Sequence, residues 1–232
     1  MKMYTFAFLC ACGLLALQVP STNAAAATTD EIVEKHNALR RGVWPTASNM
    51  LKMRWSSEAA AKAQEWADTC SLKHSPDTFR QISTSDCGEN LAMANSTNSW
   101  TNFIQSWYNE VQDWKYGIGS YNGRAVGHYT QVAWYRSNEI GCGMAYCPNS
   151  KYQYFFVCQY CPAGNYGFAV PYNVGPTCGD CPNDCDDKLC TNPCPHTDQY
   201  SNCPSLAQQW GCGHRQVASW CPASCKCANR IK

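Results

Sequence analysis

Cysteine is the residue that most constrains what this chain can fold into. Of its 232 residues, 18 are cysteine, and this fraction, about 8%, is close to that of disulfide scaffolds. Residues 178–232 contain ten of these cysteines. So short a segment cannot bury enough apolar surface to fold without covalent links. The sequence therefore predicts a larger N-terminal domain followed by a disulfide-stapled tail, and residues 171–176, rich in proline and glycine, read as the connector between them.

The first residues resemble a secretory signal. Lys2 precedes an apolar run from Tyr4 to Leu17, and small residues follow it. A membrane anchor is the less favoured alternative, because the run is too short to cross an apolar layer of about 30 Å. We assign residues 1–23 to a signal peptide, whose removal takes two of the 18 cysteines and leaves an even number. The mature chain is expected to be secreted, oxidised and not integral to a membrane.

Charge excludes two classes of protein. The formal net charge is +1 and charged residues make up 15% of the chain, against about 25% in ordinary soluble domains. A strongly basic nucleic-acid binder and an acidic disordered tail do not have this balance. We expect no nucleic-acid partner.

Apolar periodicity predicts three helices in the first domain. The first is capped by Thr29 or Asp30, the second runs from Glu58 to about Thr69, and the third from Ser99 to Trp114. Residues 126–134 alternate with a period of two and predict a strand, and further strands are expected over 140–146 and 152–160. Helices beside an antiparallel sheet make the fold class α+β.

Two titratable residues lie in apolar patterns. Glu110 falls on the apolar stripe of the third helix, and His128 shares the predicted strand face with Val126 and Val132. A buried charge needs a partner, so these two side chains are expected to meet each other or a ligand; a purely structural pair is the alternative. No hydrolase or nucleotide-binding motif is present, and we predict no enzymatic activity. Asn95 begins an N-glycosylation acceptor in a polar loop.

Several motifs resemble one family. Residues 127–134, GHYTQVAW, and 156–165, FVCQYCPAGN, resemble the two signatures of the CAP superfamily. HNALR at 36–40, CGEN at 87–90 and WYNE at 107–110 are similar to its other motifs and stand in the same order. The ten-cysteine tail narrows the resemblance to the cysteine-rich secretory proteins (CRISPs), which occur in reptile venoms, oral glands and vertebrate reproductive tracts.

The resemblance implies a fold. Residues 24–172 would form a three-layer α-β-α CAP sandwich, residues 173–190 a disulfide-linked hinge, and residues 191–232 a small helical cysteine-rich domain similar to sea-anemone potassium-channel toxins. The pairing it implies is Cys70–Cys147, Cys87–Cys161, Cys142–Cys158, Cys178–Cys185, Cys181–Cys190, Cys194–Cys227, Cys203–Cys221 and Cys212–Cys225.

The resemblance also implies a cleft that contains His74, Glu89, Glu110 and His128. In relatives the histidines can bind zinc or another divalent cation, and the carboxylates favour a cation, hold water or orient the rings. Two histidines without a third firm protein ligand imply modest affinity. A structural tetrad without metal is the alternative.

The stapled tail implies a rigid display surface, which lowers the ordering cost of binding. Its candidate contact residues are of the types that dominate interfaces; they are Trp210, Arg215, Trp220 and Lys226. The alternative is that both tryptophans fill the interior of the tail. No lysine stands next to an aromatic residue between Cys203 and Cys221, which disfavours pore plugging in the manner of the anemone toxins. We read the four aspartates of the hinge as a solvated charge pattern without a partner; they are Asp180, Asp184, Asp186 and Asp187.

The expected function is that of a secreted, non-enzymatic regulator that binds the extracellular face of a voltage-gated calcium or potassium channel. Such a protein would inhibit depolarisation-induced contraction of smooth muscle. A lipid or sterol carrier and a reproductive cell-surface adhesion protein are the alternatives. A metal-dependent hydrolase at His74 and His128 ranks last, because the sequence supplies no evident nucleophile.

Overall fold

The computed structural model describes the backbone of residues 22–232 and the side chains of residues 28–232. Residues 1–21, on which the signal-peptide prediction rests, lie outside the described residues. Within the part of the chain that is described, no helix has both the length and the apolar character that crossing a bilayer requires.

Seven α-helices and ten short or medium strands make up the described chain. The helices are α1 (Thr22–Arg41), α2 (Ser57–Asp68), α3 (Trp100–Tyr108), α4 (Gly127–Val132), α5 (Cys203–Trp210), α6 (Arg215–Trp220) and α7 (Pro222–Lys226), with a 3-10 helix at Asn109–Asp113. The strands are β1 (Arg54–Trp55), β2 (Gln81–Ile82), β3 (Ser85–Asp86), β4 (Gly88–Ala94), β5 (Trp114–Lys115), β6 (Gly119–Ser120), β7 (Glu139–Tyr146), β8 (Tyr154–Cys161), β9 (Cys185–Asp186) and β10 (Leu189–Cys190).

The central sheet has the order β1-β7-β8-β4. β1 is parallel to β7, whereas β7, β8 and β4 are antiparallel, with Glu89 opposite Gln159 and Cys142 opposite Cys158. The strands predicted over 140–146 and 152–160 are confirmed as β7 and β8. The other strand pairs are two-residue ribbons.

The first face of the sheet is covered by α2. Ser56 caps this helix by accepting a hydrogen bond from the amide of Ala59, which satisfies a donor of the first turn. The helix lies very close to β7, since a Cβ atom on Gly141 would stand 2.0 Å from the amide nitrogen of Ala60 and one on Gly143 would stand 2.5 Å from Cα of Gln64. Only glycine permits this approach.

The second face is covered by α1 and α3. Ile32 of α1 and Phe103 and Ile104 of α3 form one apolar cluster with Phe156 and Tyr160 of β8. The structure therefore has the expected three layers. The third predicted helix is confirmed up to Tyr108, but its last turn is a 3-10 helix, which carries Glu110.

The prediction of a strand over residues 126–134 is wrong, because these residues contain the helix α4. Tyr129, Thr130, Gln131 and Val132 are all buried, so this helix has no polar face that would reveal a helical period. Its end is held by Arg40, whose buried guanidinium donates to the carbonyls of Val132 and Trp134 at 2.9 and 2.8 Å. A cation at a helix C-terminus is favourable.

Arg40 has no carboxylate partner within the described residues. Its remaining donors go to the carbonyls of Leu51, at 3.0 and 2.7 Å, and of Tyr135, at 3.0 Å. Burial lowers the pKa of Arg40 to about 9, so the side chain is still protonated at neutral pH. One guanidinium thus joins α1, the segment before β1 and the end of α4.

The hinge is paired with the first domain. The amide of Lys52 donates to the carbonyl of Cys190, and the amide of Cys190 donates to Met50, both at 2.8 Å. Asp186 forms an ion pair with Lys52, and Asp187 with Arg41, both at 2.7 Å. The expectation of an acidic hinge without partners is wrong, because the basic side chains that face it belong to the first domain.

The tail consists of α5, α6 and α7. The eight disulfides of the structure join the same cysteine pairs that the family resemblance implies. Ile231 is buried against Leu51 and the hinge cysteines, its carbonyl accepts from the amide of Cys194, and the hydroxyl of Tyr135 donates to the carbonyl of Lys232. The C-terminal end of the tail is therefore anchored to the first domain, and the Cys194 hydrogen bond ties the start of the tail to that end.

Candidate functional site

One half of the cleft is built by Glu110 and His128. The carboxylate of Glu110 accepts from Nδ1 of His128 at 2.6 Å. Its second oxygen accepts from the backbone amides of His128 and Tyr129 at 2.9 and 3.1 Å, which are first-turn donors of α4. Because a carboxylate oxygen accepts, Nδ1 of His128 is the donor of this hydrogen bond, and Nε2 is the ring nitrogen left for a ligand.

The other half is built by Glu89 and His74. Glu89 lies in β4 and its buried carboxylate accepts from Nδ1 of His74 at 2.8 Å and from the hydroxyl and amide of Ser75 at 2.7 and 3.0 Å. Burial acts to raise the pKa of Glu89, but these donors and the nearby Arg80 outweigh it and hold the pKa below its ordinary value. Glu89 is therefore an anion at neutral pH.

The two halves face one cavity of about 290 Å³, which is lined by both histidines, Glu89, Asn165 and Phe168. Within residues 28–232, neither histidine Nε2 has a hydrogen-bond partner. Metal-bound histidines commonly donate Nδ1–H to a carboxylate and bind the ion through Nε2. The donor set thus fits zinc, which imidazole ligands suit.

Glu110 and His128 form a hydrogen bond with each other, but the secondary-structure elements that carry them differ from the prediction. Glu110 lies on a 3-10 helix and His128 on α4, at the boundary of the cleft and not within the apolar core. The structure brings His74 and Glu89 to the same cavity from a loop and a strand that are fifteen residues apart.

Three residues that support the cleft were not found by sequence reasoning. Ser75 and Arg80 hold Glu89, and Asn165 donates to the carbonyl of Gly127 at 2.8 Å and accepts from Thr130 at 2.7 Å. Asn165 thus fixes the start of α4. The signal for it was its place in the second signature, whereas Ser75 and Arg80 show no pattern of their own.

The tail presents a second candidate surface. Trp210 is 60% exposed, and with Trp220 and His214 it lines a mainly apolar cavity of about 260 Å³. Trp220 is half-buried and packs edge-on against Tyr200, so only this tryptophan partly fills the interior. Arg215 is exposed at the start of α6, whereas Lys226 lines a different cavity beside the hinge. The structure does not bring Lys226 to the two tryptophans.

Comparison with family models decides the family. The model described as the cysteine-rich secretory protein family, CAP, matches residues 33–160, and a second model, Crisp, matches residues 178–232. The chain belongs to the cysteine-rich secretory protein family. This CRISP-type protein combines a mixed α/β CAP domain with a stapled cysteine-rich domain, and its eight disulfides fit a secreted protein.

Solved structures of similar proteins agree with this fold. NaASP2, whose crystal structure is described as containing Zn²⁺, is 29% identical, with 71% of this chain and 95% of NaASP2 covered at a TM-score of 0.60. BmVAL-1 is also 29% identical, with 79% and 95% covered and a TM-score of 0.57. A hookworm platelet inhibitor, 22% identical with 74% and 92% covered and a TM-score of 0.58, shows the fold alone.

Proposed function

We propose that this CRISP-type protein is secreted and inhibits a voltage-gated calcium or potassium channel from the extracellular side, and so reduces depolarisation-induced contraction of smooth muscle. The observation that carries the proposal is Trp210, a large aromatic side chain left 60% exposed on a stapled domain. Exposed aromatic residues on a rigid surface are typical of binding hot spots, because little ordering cost accompanies their burial.

The surface of this protein that contacts the channel would centre on the cavity between Trp210 and Trp220. Both tryptophans and His214 line it, and Arg215 follows His214 in the chain. Aromatic and arginine side chains together suit the mixed apolar and acidic mouth of a cation channel. A surface of this kind covers a pore entrance, and no lysine–aromatic pair is available between Cys203 and Cys221 for insertion into the pore.

We further propose that His74 and His128 bind zinc or a similar divalent cation through their Nε2 atoms. The carboxylates of Glu89 and Glu110 would orient the two rings, as their hydrogen bonds to Nδ1 support. The Zn²⁺ in NaASP2 supports such binding in a similar protein. Two protein ligands leave an open site of modest affinity.

The cation has no hydrolytic role in this proposal. The hydroxyl nearest to the cleft carboxylates, that of Ser75, donates to Glu89 and not to a histidine. A serine nucleophile needs a base that accepts its proton, and a carboxylate with a lowered pKa is a weak base. The arrangement therefore favours a binding protein over a hydrolase.

The experiment compares the disulfide-intact protein with its Trp210→Ala variant on depolarised arterial smooth muscle and on single voltage-gated channels. We expect the variant to require about tenfold more protein for half-inhibition, as hot-spot truncations do. Tyr166→Ala is the matched control, because Tyr166 is also exposed but lies in the CAP domain. Inhibition that survives Trp210→Ala, or no inhibition by the unchanged protein, contradicts the proposal.

A lipid carrier is the second candidate, favoured by exposed apolar residues beside the cleft. Phe168 lines the cleft, and Ile118 and Val170 are similarly exposed. The amide of Gly117 donates to the carbonyl of Ala169, so the two segments that carry these side chains adjoin. Retention of labelled cholesterol or palmitate by the purified protein, without effect on any channel, would favour this function.

A further inference from the structure

A separate cavity of about 270 Å³ lies where the CAP domain meets the tail. Its walls come from both domains: Arg54, Arg136 and Asn138 from the CAP domain, and Pro193 and Arg230 from the tail. It shares no residue with the histidine and glutamate cleft. We call it the interdomain cavity.

The interdomain cavity carries an excess of positive charge. Three arginines line it, Arg54, Arg136 and Arg230, and Glu139 is the one carboxylate among its lining residues. Glu139 already forms an ion pair with Arg54. Two guanidinium charges therefore remain without a carboxylate in the cavity, an arrangement that repels cations and attracts anions.

The cavity also holds polar groups without partners. Asn138 is 8% exposed, yet its side-chain amide makes no hydrogen bond with any residue that the structure describes. Nε of Arg136 is buried without an acceptor. The hydroxyls of Thr84 and Ser85 line the same cavity and are likewise not hydrogen-bonded to the described chain. Thr84 is exposed and Ser85 is half-buried, so water can reach their hydroxyls. The buried Nε of Arg136 is the donor that needs an acceptor, because buried polar groups normally have partners.

We propose that the interdomain cavity binds a negatively charged oxyanion, the phosphate or sulfate group of a small ester. Such a group presents only acceptors, and guanidinium side chains bind it with paired, charge-assisted hydrogen bonds. The amide of Asn138 and the two hydroxyls would complete its coordination. Because Arg136 belongs to the CAP domain and Arg230 to the tail, the bound anion would join the two domains.

The hydrogen bonds of the arginines leave donors available for this ligand. Arg136 uses one terminal nitrogen to bind the carbonyl of His196 and the hydroxyl of Thr197, at 3.0 and 2.8 Å. Arg230 makes one long hydrogen bond, 3.3 Å, to the carbonyl of Pro193. Both side chains are thus positioned by the tail and keep unused N–H groups.

The test is calorimetric titration of the whole disulfide-intact protein at low ionic strength. Inorganic phosphate and inorganic sulfate are the first probes, and O-phosphoserine and glucose 6-sulfate distinguish the two kinds of ester. We expect saturable one-to-one binding of at least one inorganic anion and of the matching ester. Absence of saturable binding, or binding of inorganic ions with neither ester, would overturn the proposal.

Two variants and one control locate the site. Asn138→Asp keeps the shape of the side chain but adds a negative charge, so affinity is expected to fall by at least about tenfold, while the melting temperature stays equal or rises because the arginines gain a counter-charge. Arg230→Gln is expected to weaken binding by about fivefold or more. Arg124→Gln, at an exposed arginine outside the cavity, should leave affinity unchanged.

Unchanged affinity in a folded Asn138→Asp protein overturns the assignment. If that variant does not fold, Arg230→Gln decides, since Arg230 is exposed and its replacement removes no core contact. Equal weakening by Arg230→Gln and Arg124→Gln would mean general charge attraction and would also overturn it. The proposal is independent of channel inhibition, so either can fail alone.

Discussion

Glu110 accepts two hydrogen bonds from His128, one from the ring at 2.6 Å and one from the backbone amide at 2.9 Å. The same carboxylate therefore fixes the first turn of α4 and the orientation of the imidazole that α4 carries. Trp107 lies nearly parallel to this ring, with centroids 6.2 Å apart. His128 is thus held on two sides before any ligand binds.

This double contact predicts a loss of metal affinity in Glu110→Gln. A glutamine would place an N–H group against either the ring N–H or the backbone amide, so the ring would lose its fixed orientation. Zinc affinity is expected to fall about 10- to 100-fold, as for other residues that orient metal ligands. Competition with a chelating dye measures it. Glu65→Gln, an exposed change on α2, is the control, and equal affinity in both variants would contradict the metal assignment.

The contact between α2 and β7 predicts a large effect of one added methyl group. In Gly141→Ala the new Cβ would stand 2.0 Å from the amide nitrogen of Ala60, so the helix must move away from the sheet. We expect destabilisation of about 3 kcal/mol, measured by calorimetric unfolding. Gly213→Ala has no atom within 4 Å of the new methyl and should change stability by less than about 0.5 kcal/mol.

His36 predicts a pH dependence of stability. Its Nδ1 donates to the carbonyl of Ile32 and its Nε2 accepts from Tyr160, so the buried ring is neutral. Burial, with smaller contributions from Arg40 and Lys35, lowers its pKa from 6.5 to about 3. Between these two values the unfolded chain binds the extra proton, so this contribution to stability is complete above pH 6.5 and declines as the pH falls toward 3.

The contribution is of the order of 5 kcal/mol over that whole range. Denaturant unfolding between pH 6.5 and 5 avoids the range of most carboxylates, and comparison with His36→Gln separates the contribution of His36 from that of the other histidines. The slope is expected to be smaller in His36→Gln than in the unchanged protein and unaffected in His214→Gln, which changes an exposed histidine. Identical slopes in all three would show that His36 is not buried in its neutral form.

The anchoring of the tail predicts the result of removing Ile231 and Lys232. Ile231 is buried and accepts the amide proton of Cys194, and its loss removes about 2 kcal/mol of apolar burial. Amide exchange at residues 191–198 should accelerate by more than about tenfold, as mass spectrometry can measure. Tyr135→Phe, which removes only the hydroxyl that binds Lys232, should show a smaller increase. Unchanged exchange would mean that the disulfides alone hold the tail.

Local sequence patterns do not predict the helix α4. The last four residues of this six-residue helix, Tyr129 to Val132, are all buried, so no exposed polar face reveals a helical period. Its conformation depends on contacts from distant residues, Glu110 at the start and Arg40 at the end. Such contacts leave no local signature, so the prediction of a strand was wrong, although the contact of Glu110 with His128 is one of the two outcomes that the apolar pattern predicts.

Helix starts and the two long strands could be predicted from the sequence, because local interactions determine them. Ser56 and Ser99 cap helices through local hydrogen bonds, and β7 and β8 are long enough to show their apolar character. The ion-pair partners of Asp186 and Asp187 could not be predicted from the sequence, because Lys52 and Arg41 lie more than 130 residues away in the chain. The interdomain cavity depends on the same kind of long-range arrangement.

Because the hinge is paired with the CAP domain, the tail and the CAP domain would have to fit a binding site together. Backbone pairing of Lys52 with Cys190, the ion pairs of Asp186 and Asp187, and the buried Ile231 fix the tail to the CAP domain. The tail and the CAP domain therefore keep one relative orientation, and the tail would not meet a binding partner as a separate unit on a flexible linker. Under the proposed channel function, a vestibule that is wide enough for the tail but too narrow for the CAP domain would be inaccessible to this protein, so the width of the vestibule would help to select the target.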